Sequence, residues 1–392
     1  MIKKVLIDKA NRLYQFPPDL FSFISGDEKP SLIKKTGIID LGRFQWTIPF
    51  PQKQSSEISD LKHASNESIT ELKNSIADWF YEKEKVRLIP EKEIFIGGRI
   101  SSILLNIGLA FIDNSDIVFV PETSLPLYRK IVTTAGGEPV NYAISHKTNW
   151  SPNFERLASR LGKTSRLLFL NSPHNPTGSE LTHKELENII WIAARENIAL
   201  VNDAAYQSFS HNKHSSLIGT ASGKKVGVEV YSFSYCFGLP QLPFGFVIGN
   251  KDIIAGLKQV SRLSQDYIPG FYISMANHAI HNPNNQQIEN FKKNIQKTKA
   301  ASIQLLEILN LDDKSKGSLP FIWAEIPKRK NSNTIATQLY RKYRIISAPG
   351  SAFGDAGEGY LRFSLTTDPI NYSDAYERIK KKKRLLKTEK EI

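Results

Sequence analysis

Two short motifs and one arginine in this sequence carry side chains that could do chemistry on a small molecule. Asn175-Pro-Thr-Gly178 follows an apolar run, Asp203-Ala-Ala-Tyr206 follows the next one, and Arg362 lies in a late apolar run. A carboxylate can keep the nitrogen of a pyridine ring protonated, and a planar guanidinium matches a carboxylate in two parallel hydrogen bonds. Ordinary structural roles are the alternative, because Asn, Pro and Gly form turns, Asp caps helices and Arg forms salt bridges.

A further segment, residues 231–250, bears on this choice. It reads Tyr231-Ser-Phe-Ser-Tyr235-Cys-Phe-Gly-Leu-Pro-Gln-Leu-Pro243-Phe-Gly245-Phe-Val-Ile-Gly-Asn250. It resembles the cofactor segment of class I/II aminotransferases, which are fold type I enzymes that use pyridoxal 5'-phosphate (PLP). In that family the pattern is Ser-x-Ser-Lys and then Leu-Pro-Gly-x-Arg-x-Gly. The Lys carries the cofactor as a Schiff base and the Arg binds its phosphate, but here Tyr235 and Pro243 stand at those positions.

The resemblance covers nearly the whole chain and is closest to the succinyldiaminopimelate aminotransferase branch. It implies that Asn175 and Tyr206 hydrogen-bond the ring hydroxyl of the cofactor and that Asp203 keeps its ring nitrogen protonated. It also implies that Ser232 binds the cofactor and that Arg362 binds the α-carboxylate of the substrate. A homodimer with its site between two subunits is a further implication.

Other positions depart from the family pattern. Leu125 stands where an aromatic ring stacks on the cofactor, and bulky Phe44 stands where a Gly contacts the substrate. His63 stands where a Tyr reaches the cofactor phosphate of the neighbouring subunit. The turn that cups the phosphate, residues 96–102, keeps its glycines. Several parts of the family's site are therefore changed together.

The replacement of the lysine has a direct chemical consequence. Tyr235 cannot form a Schiff base, and a phenol with a pKa near ~10 is a poor base at neutral pH. The loss of a positioned acid/base alone typically costs about 10²–10⁴-fold in rate. Lys224 and Lys225 precede the strand that leads to Ser232, so we expect them at its opposite end. Ser232 and Arg99 remain able to bind a phosphate or another anion.

Three interpretations of function follow. In the first, the chain is a degenerate, non-catalytic aminotransferase homologue that acts as a structural or regulatory subunit, paired with itself or with an active relative, or binds a small anion. In the alternative, it is an enzyme that holds PLP or pyridoxamine phosphate without a covalent link. It would act on an amino acid/2-oxo acid pair of the succinyldiaminopimelate type, with Tyr235 or His63 as acid/base and a small anionic, amino-acid-like ligand.

The third interpretation is binding to nucleic acid or to an anionic surface. It rests on a net charge of +13 and on the basic run at residues 380–384. Apart from this run the charge is dispersed, and a run of this kind is typical of a solvated helix face. We therefore expect no nucleic-acid partner.

Short apolar runs alternate with amphipathic stretches in the first two thirds of the chain. The expected strands are 117–121, 167–171, 198–202, 228–233 and 246–249. Between them, Thr182-His-Lys-Glu185 is a capping box that predicts the start of a helix. This alternation predicts an α/β fold with a mostly parallel central sheet covered on both faces. Ligands bind beyond the carboxyl ends of such strands, where Asn171, Asp203 and Ser232 are expected.

The pattern changes after about residue 275. A long polar helix at 286–309, strands at 321–326 and 360–365, and a terminal helix at 372–386 predict a smaller α+β domain. We assign residues 49–275 to a large domain of the PLP-dependent transferase fold type I. By resemblance, residues 1–48 pack with residues 276–392 in the small domain.

Composition excludes several classes of protein. With 40% hydrophobic residues in 392, the chain can bury a large core. Its single cysteine, Cys236, excludes a disulfide framework and a cysteine-based metal site, and we predict no metal. The first nine residues have no apolar signal-peptide core, and no apolar run approaches the roughly 20 residues that span a membrane. We expect a soluble, cytoplasmic protein.

Overall fold

The computed structural model describes residues 10–388, with gaps at 18, 22–36, 46–62, 155–156, 158, 161, 211–214, 240–241, 265–267, 282–285 and 318. The first nine residues and the predicted domain boundary at residue 49 lie outside the described residues. No helix in the described ranges is long and apolar enough to cross a membrane.

A seven-stranded sheet forms the centre of the molecule, in the order β2-β8-β7-β6-β5-β3-β4. Its strands are β2 (Ile94–Gly97), β3 (Ile117–Pro121), β4 (Glu138–Tyr142), β5 (Ser165–Asn171), β6 (Ala199–Asp203), β7 (Gly227–Ser232) and β8 (Gly245–Gly249). Among these strands, β8 alone runs in the direction opposite to the other six. The predicted α/β fold with a mostly parallel sheet is confirmed.

Helices cover both faces of this sheet, because alternate residues of each strand point to opposite sides. Leu168 and Leu170 of β5 pack in one apolar cluster, and Leu167 and Phe169 pack in another. The helices of this part are α1 (Asn66–Glu84), α2 (Pro90–Glu93), α3 (Ile100–Phe111), α4 (Pro126–Ala135), α5 (His183–Glu196), α6 (Gly223–Val226), α7 (Phe233–Phe237), α8 (Lys251–Ser264) and α9 (Gly270–Ile280). The predicted capping box is present at the start of α5.

A second, four-stranded sheet follows in the order β12-β13-β10-β9. It comprises β9 (Asp312–Asp313), β10 (Phe321–Glu325), β12 (Ala348–Pro349) and β13 (Tyr360–Ser364), with helices α10 (Gln286–Leu309), α11 (Ser332–Tyr343) and α12 (Pro369–Thr388). Near the N-terminus, β1 (Ile39–Asp40) pairs in parallel with β11 (Ile345–Ile346). This pairing brings residues 39–40 onto the C-terminal part of the chain, whereas the domain boundaries stay predictions.

The basic run at residues 380–384 lies in α12, and two of its lysines bind the ends of other helices. Lys382 Nζ donates to the carbonyl oxygen of Lys342 at 2.7 Å, and Lys383 Nζ donates to that of Ile308 at 2.7 Å. The last carbonyls of a helix lack partners within the helix and carry a partial negative charge. These lysines therefore stabilise the C-terminal ends of α11 and α10.

A buried carboxyl group ties a loop to the central sheet. Glu229, in β7, accepts hydrogen bonds from Asn202 Nδ2, the backbone nitrogen of Leu217 and the Tyr231 hydroxyl, each at 2.8 Å, and from the Ser216 hydroxyl. It is fully buried. The loop around residue 217 is thus held against the strand that leads to Ser232.

We expect Glu229→Ala to lower the free energy of unfolding by at least about 3 kcal/mol, since several buried donors lose their acceptor at about 1–3 kcal/mol each. Urea denaturation followed by circular dichroism measures the change. Glu187→Ala, at an exposed position on α5, is the control and should stay within about 0.5 kcal/mol of the unsubstituted protein. Equal stability of the two variants would contradict the stabilising role of Glu229.

Candidate functional site

Three polar residues meet at the carboxyl edge of the central sheet. Asn171, Asp203 and Ser232 are the last residues of the adjacent strands β5, β6 and β7, and Asn171 lies opposite Asp203 in the strand pairing. The Asn171 side chain donates to the backbone carbonyl of Asp203 at 2.9 Å. The structure thus places these residues together where the alternation of strands and helices predicts a ligand site.

The turn after β5 is held by side chains of its own sequence. Asn171 Oδ1 accepts a hydrogen bond from the backbone nitrogen of Asn175 at 2.8 Å. Arg362 Nη1 in turn donates to Asn175 Oδ1 at 3.0 Å. The Asn175 side chain is therefore fixed between the sheet edge and β13.

A histidine within this turn was not assigned a role from the sequence. His174 Nε2 lies 2.7 Å from the carbonyl oxygen of Thr123, and its Nδ1 lies 2.7 Å from the Thr177 hydroxyl. These partners suit a neutral ring that donates through Nε2 and accepts through Nδ1. Burial lowers the pKa of His174 to about 4. The only feature of the sequence that points to His174 is its place directly before the Asn-Pro-Thr-Gly motif.

Asp203 is buried and has two partners within the protein. The Tyr128 hydroxyl donates to Oδ2 at 2.8 Å, and the backbone nitrogen of Ala205 donates to Oδ1 at 3.1 Å. Burial raises the pKa of Asp203, while both hydrogen bonds act in the opposite direction. Each carboxylate oxygen can accept a second bond, so Asp203 can still accept from a ligand. Nothing in the spacing of Tyr128 along the sequence points to Asp203.

Arg362 is buried, with 4% of its surface exposed. Its Nη2 donates to the carbonyl oxygen of Gly42 at 3.0 Å, and its guanidinium lies 4.2 Å from the ring centroid of Phe321 and 5.0 Å from that of Phe353. Its Nε has no hydrogen-bond partner among the described residues. Burial lowers the pKa of Arg362 to about 10, so it stays charged at neutral pH. The buried Nε–H group of this cation is therefore available to donate a hydrogen bond.

Tyr235 lies within a group of aromatic rings. It stacks on Tyr206 with ring centroids 5.0 Å apart, and Phe44 packs edge-on against it at 4.8 Å. Burial is the main cause that raises the pKa of Tyr235, and the charge of Asp203 acts in the same direction. A phenol with a raised pKa stays protonated at neutral pH, which makes it a poor base.

His63, the other acid/base named from the sequence, lies elsewhere. Its ring is exposed, and its Nδ1 is 2.8 Å from the carbonyl oxygen of Ala64. It is not among the residues that line the cavity beside Asp203 and Tyr235. Within the described part of the chain, His63 does not reach the cavity of its own subunit. The resemblance places this position at the site of a neighbouring subunit, and that role stays a prediction.

A cavity of about 480 Å³ opens beside Asp203 and Tyr235. It is lined by Arg99, Ile100, Ser101, Leu125, Leu127, Asp203, Ala205, Tyr206, Ser232, Ser234, Tyr235, Leu242, Pro243 and Phe244. Asn175 and Arg362 do not line it, but both act on Tyr206, which does. Burial raises the pKa of Tyr206, while the charge of Arg362 and a hydrogen bond with the Asn175 side chain act in the opposite direction. No group of three or more His, Cys, Asp or Glu side chains in the described ranges is placed to hold a metal.

These residues fit a phosphorylated pyridine that is held without a covalent bond. Asp203 can accept from a ring nitrogen, and Leu125 and Ala205 offer apolar surface to a ring. A covalent link does not fit, because no lysine occurs among the described residues that line the cavity. Lys224 lies in α6 before β7, as expected, and its Nζ is 3.1 Å from Glu93 Oε1.

Comparison with known proteins identifies relatives along almost the whole chain. Residues 52–379 match the family model described as aminotransferase class I and II. An LL-diaminopimelate aminotransferase of Halothermothrix orenii is 27% identical over 390 residues, which cover 95% of this chain and 98% of the relative. A second relative of that name, from Aquifex aeolicus, is 25% identical over 386 residues, covering 96% of this chain and 99% of the relative.

Solved structures show the same fold. Apo-BacF from Bacillus subtilis superposes with a TM-score of 0.85 at 23% identity, covering 96% of this chain and 98% of BacF. The N-succinyldiaminopimelate aminotransferase of Mycobacterium tuberculosis superposes with a TM-score of 0.81 at 20% identity, covering 95% and 99%. The predicted fold type and the predicted family resemblance are both confirmed.

The buried His174 makes stability depend on pH. The ordinary pKa of 6.5 applies in the unfolded chain and a pKa of about 4 in the folded one, so the unfolded chain binds more protons between these values. His174 therefore contributes stability that is complete above pH 6.5 and is lost as pH falls towards 4. Over this window the effect is about 3 kcal/mol.

We expect His174→Gln to reduce this loss, whatever its effect on stability at neutral pH. Urea denaturation of both proteins at pH 7.5 and 4.5 measures the difference, because the variant has no ring to protonate. His183→Gln, at a side chain that is 62% exposed, is the control and should keep the pH dependence of the unsubstituted protein. An unchanged dependence in His174→Gln would show that His174 does not cause it.

Proposed function

The chain belongs to the class I and II aminotransferase family, and on that premise we propose that it binds PLP or pyridoxamine phosphate non-covalently and has no lysine-dependent transaminase activity. The observation that supports this most is the place of Tyr235, which by resemblance stands at the lysine position: it is stacked on Tyr206 beside a cavity that Asp203 also lines. The site keeps groups that suit the cofactor ring while lacking the amine that would attach it.

Each retained residue has a defined task in this proposal. Asp203 accepts a hydrogen bond from the protonated ring nitrogen, and Tyr128 and Ala205 orient its carboxyl group. Tyr206 and Ser232 line the same cavity and offer hydroxyl groups. When bound, the cofactor supplies an electron sink for a carbanion. Tyr235 contributes ring contact, and its protonated phenol does not take up a proton at neutral pH.

This proposal assigns the protein a binding role, as a structural or regulatory subunit or as a carrier of a small anion. Such a subunit could pair with itself or with an active relative. The homodimer, the pairing with a relative and the cytoplasmic location stay predictions. The two pairings rest on the family resemblance, and the location rests on the composition and sequence pattern of the chain.

A second candidate function is transamination of an amino acid/2-oxo acid pair with the amine form of the cofactor held non-covalently. Arg362 favours it, because its buried Nε, which has no partner among the described residues, suits a ligand carboxylate. The names of the sequence relatives, LL-diaminopimelate aminotransferases, point to diamino acids as the first substrates to assay. Formation of an amino acid from a 2-oxo acid by the loaded protein would establish this candidate.

The direct test is a titration of the purified protein with PLP and with pyridoxamine phosphate. Calorimetry and visible absorption measure the binding. We expect saturable binding of at least one form. Borohydride treatment should leave the intact mass unchanged, because no lysine amine in the cavity reacts with the aldehyde. Absence of binding at near-millimolar cofactor would refute the proposal, as would a stable mass increase at a single site.

Restoring two residues should restore the covalent link. In Tyr235→Lys/Pro243→Arg, we expect PLP to become attached, since the amine and the phosphate-binding guanidinium return beside an intact Asp203. Borohydride and intact mass should then report one reduced cofactor for each chain. Tyr235→Met/Pro243→Arg is the matched control without the amine and should gain no mass. Failure of the lysine variant, when folded, would show that the rest of the pocket is no longer suited to PLP.

A further inference from the structure

We propose that Arg99 is the residue that binds the phosphate of the ligand, in place of the arginine that Pro243 has replaced. This inference rests on the proposed function, because it names the anchor for one group of the same ligand. In the family pattern, the arginine that binds the phosphate follows the lysine position, whereas here the arginine lies at the start of α3.

Arg99 is the only Lys, Arg or His among the described residues that line the cavity. It is exposed, and no hydrogen bond or ion pair from the described part of the chain occupies its guanidinium. Its charge acts on the interior of the site, since it lowers the pKa of Tyr235 against the larger effect of burial. A free cation thus faces the cavity from the side of α3.

The backbone next to Arg99 offers further donors for an anion. Arg99 is the N-cap of α3, a helix of 12 residues, and its side chain makes no capping hydrogen bond. The backbone nitrogens of Ser102 and Ile103 bond to its carbonyl oxygen. In the described ranges, those of Ile100 and Ser101 have no backbone partner. Free N–H groups at a helix N-terminus, with its partial positive charge, favour phosphate.

The end of β7 and the segment after it supply a hydroxyl group but no cation among the described residues that line the cavity. Ser232 Oγ accepts from the backbone nitrogen of Tyr235 at 3.3 Å, which leaves its hydroxyl hydrogen available to donate. Pro243 has neither an N–H group nor a charge. Asp203 is the only acidic residue among the described residues that line the cavity. One cation and one carboxylate suit a ligand with an anionic phosphate and a ring nitrogen that carries a proton.

The experiment compares the affinities of pyridoxamine phosphate and of pyridoxamine, which lacks the phosphate, for four proteins by calorimetry. In Arg99→Met we expect the Kd for pyridoxamine phosphate to rise about 10- to 100-fold, as for the loss of a charge-assisted hydrogen bond. The Kd for pyridoxamine should not change. Arg99→Lys should lose less than Arg99→Met. Arg341→Met, at an exposed position on α11, is the control for net charge and should bind as the unsubstituted protein does.

The outcomes separate this inference from the proposed function. If the unsubstituted protein binds pyridoxamine phosphate and Arg99→Met binds it equally well, the inference is wrong and the function stands. If the unsubstituted protein binds neither cofactor form, the function is wrong, and inorganic phosphate becomes the probe in ³¹P NMR. If the unsubstituted protein broadens the phosphate line and Arg99→Met does not, the phosphate site is still supported. Equal spectra with the two proteins would overturn it.

Discussion

The burial of one permanent charge constrains the whole site. An arginine cannot lose its proton at physiological pH, and a buried ion is costly unless partners surround it. The partners of Arg362 come from three distant parts of the chain, namely Asn175 after β5, Gly42 near the N-terminus and the rings of Phe321 and Phe353. These segments must meet around the guanidinium, so the small sheet is fixed against the carboxyl edge of the large one.

From this point the contacts continue along the edge of the central sheet. Asn175 is held by Asn171, and Asn171 also binds the backbone of Asp203. Asp203 in turn receives the hydroxyl of Tyr128 from α4. Every polar side chain in this series is buried, and each has at least one partner within the protein. The site is therefore pre-organised by its own hydrogen bonds.

The sequence predicts the framework of the molecule better than the interior of the site. The apolar runs give the strands β3, β5, β6, β7 and β8 to within two residues, because buried strands in a parallel sheet need continuous apolar sequence. The residues at the strand ends follow from that topology. The stacking of Tyr235 on Tyr206 and the approach of Phe44 do not, since such contacts between distant residues depend on side-chain packing. The contact of Tyr128 with Asp203 cannot be predicted for the same reason.

The antiparallel direction of β8 has a consequence for how this chain can change. Because β8 returns alongside β7, Ser232 lies opposite Gly245, and the 12 residues between them form the connection from β7 to β8. Tyr235 and Pro243 both belong to it. Gly245 must remain glycine, since a Cβ there would meet the carbonyl oxygen of Tyr231 at 2.5 Å. The sheet thus fixes the two ends of this segment, and the residues between them can be substituted without a change in the pairing of β7 with β8.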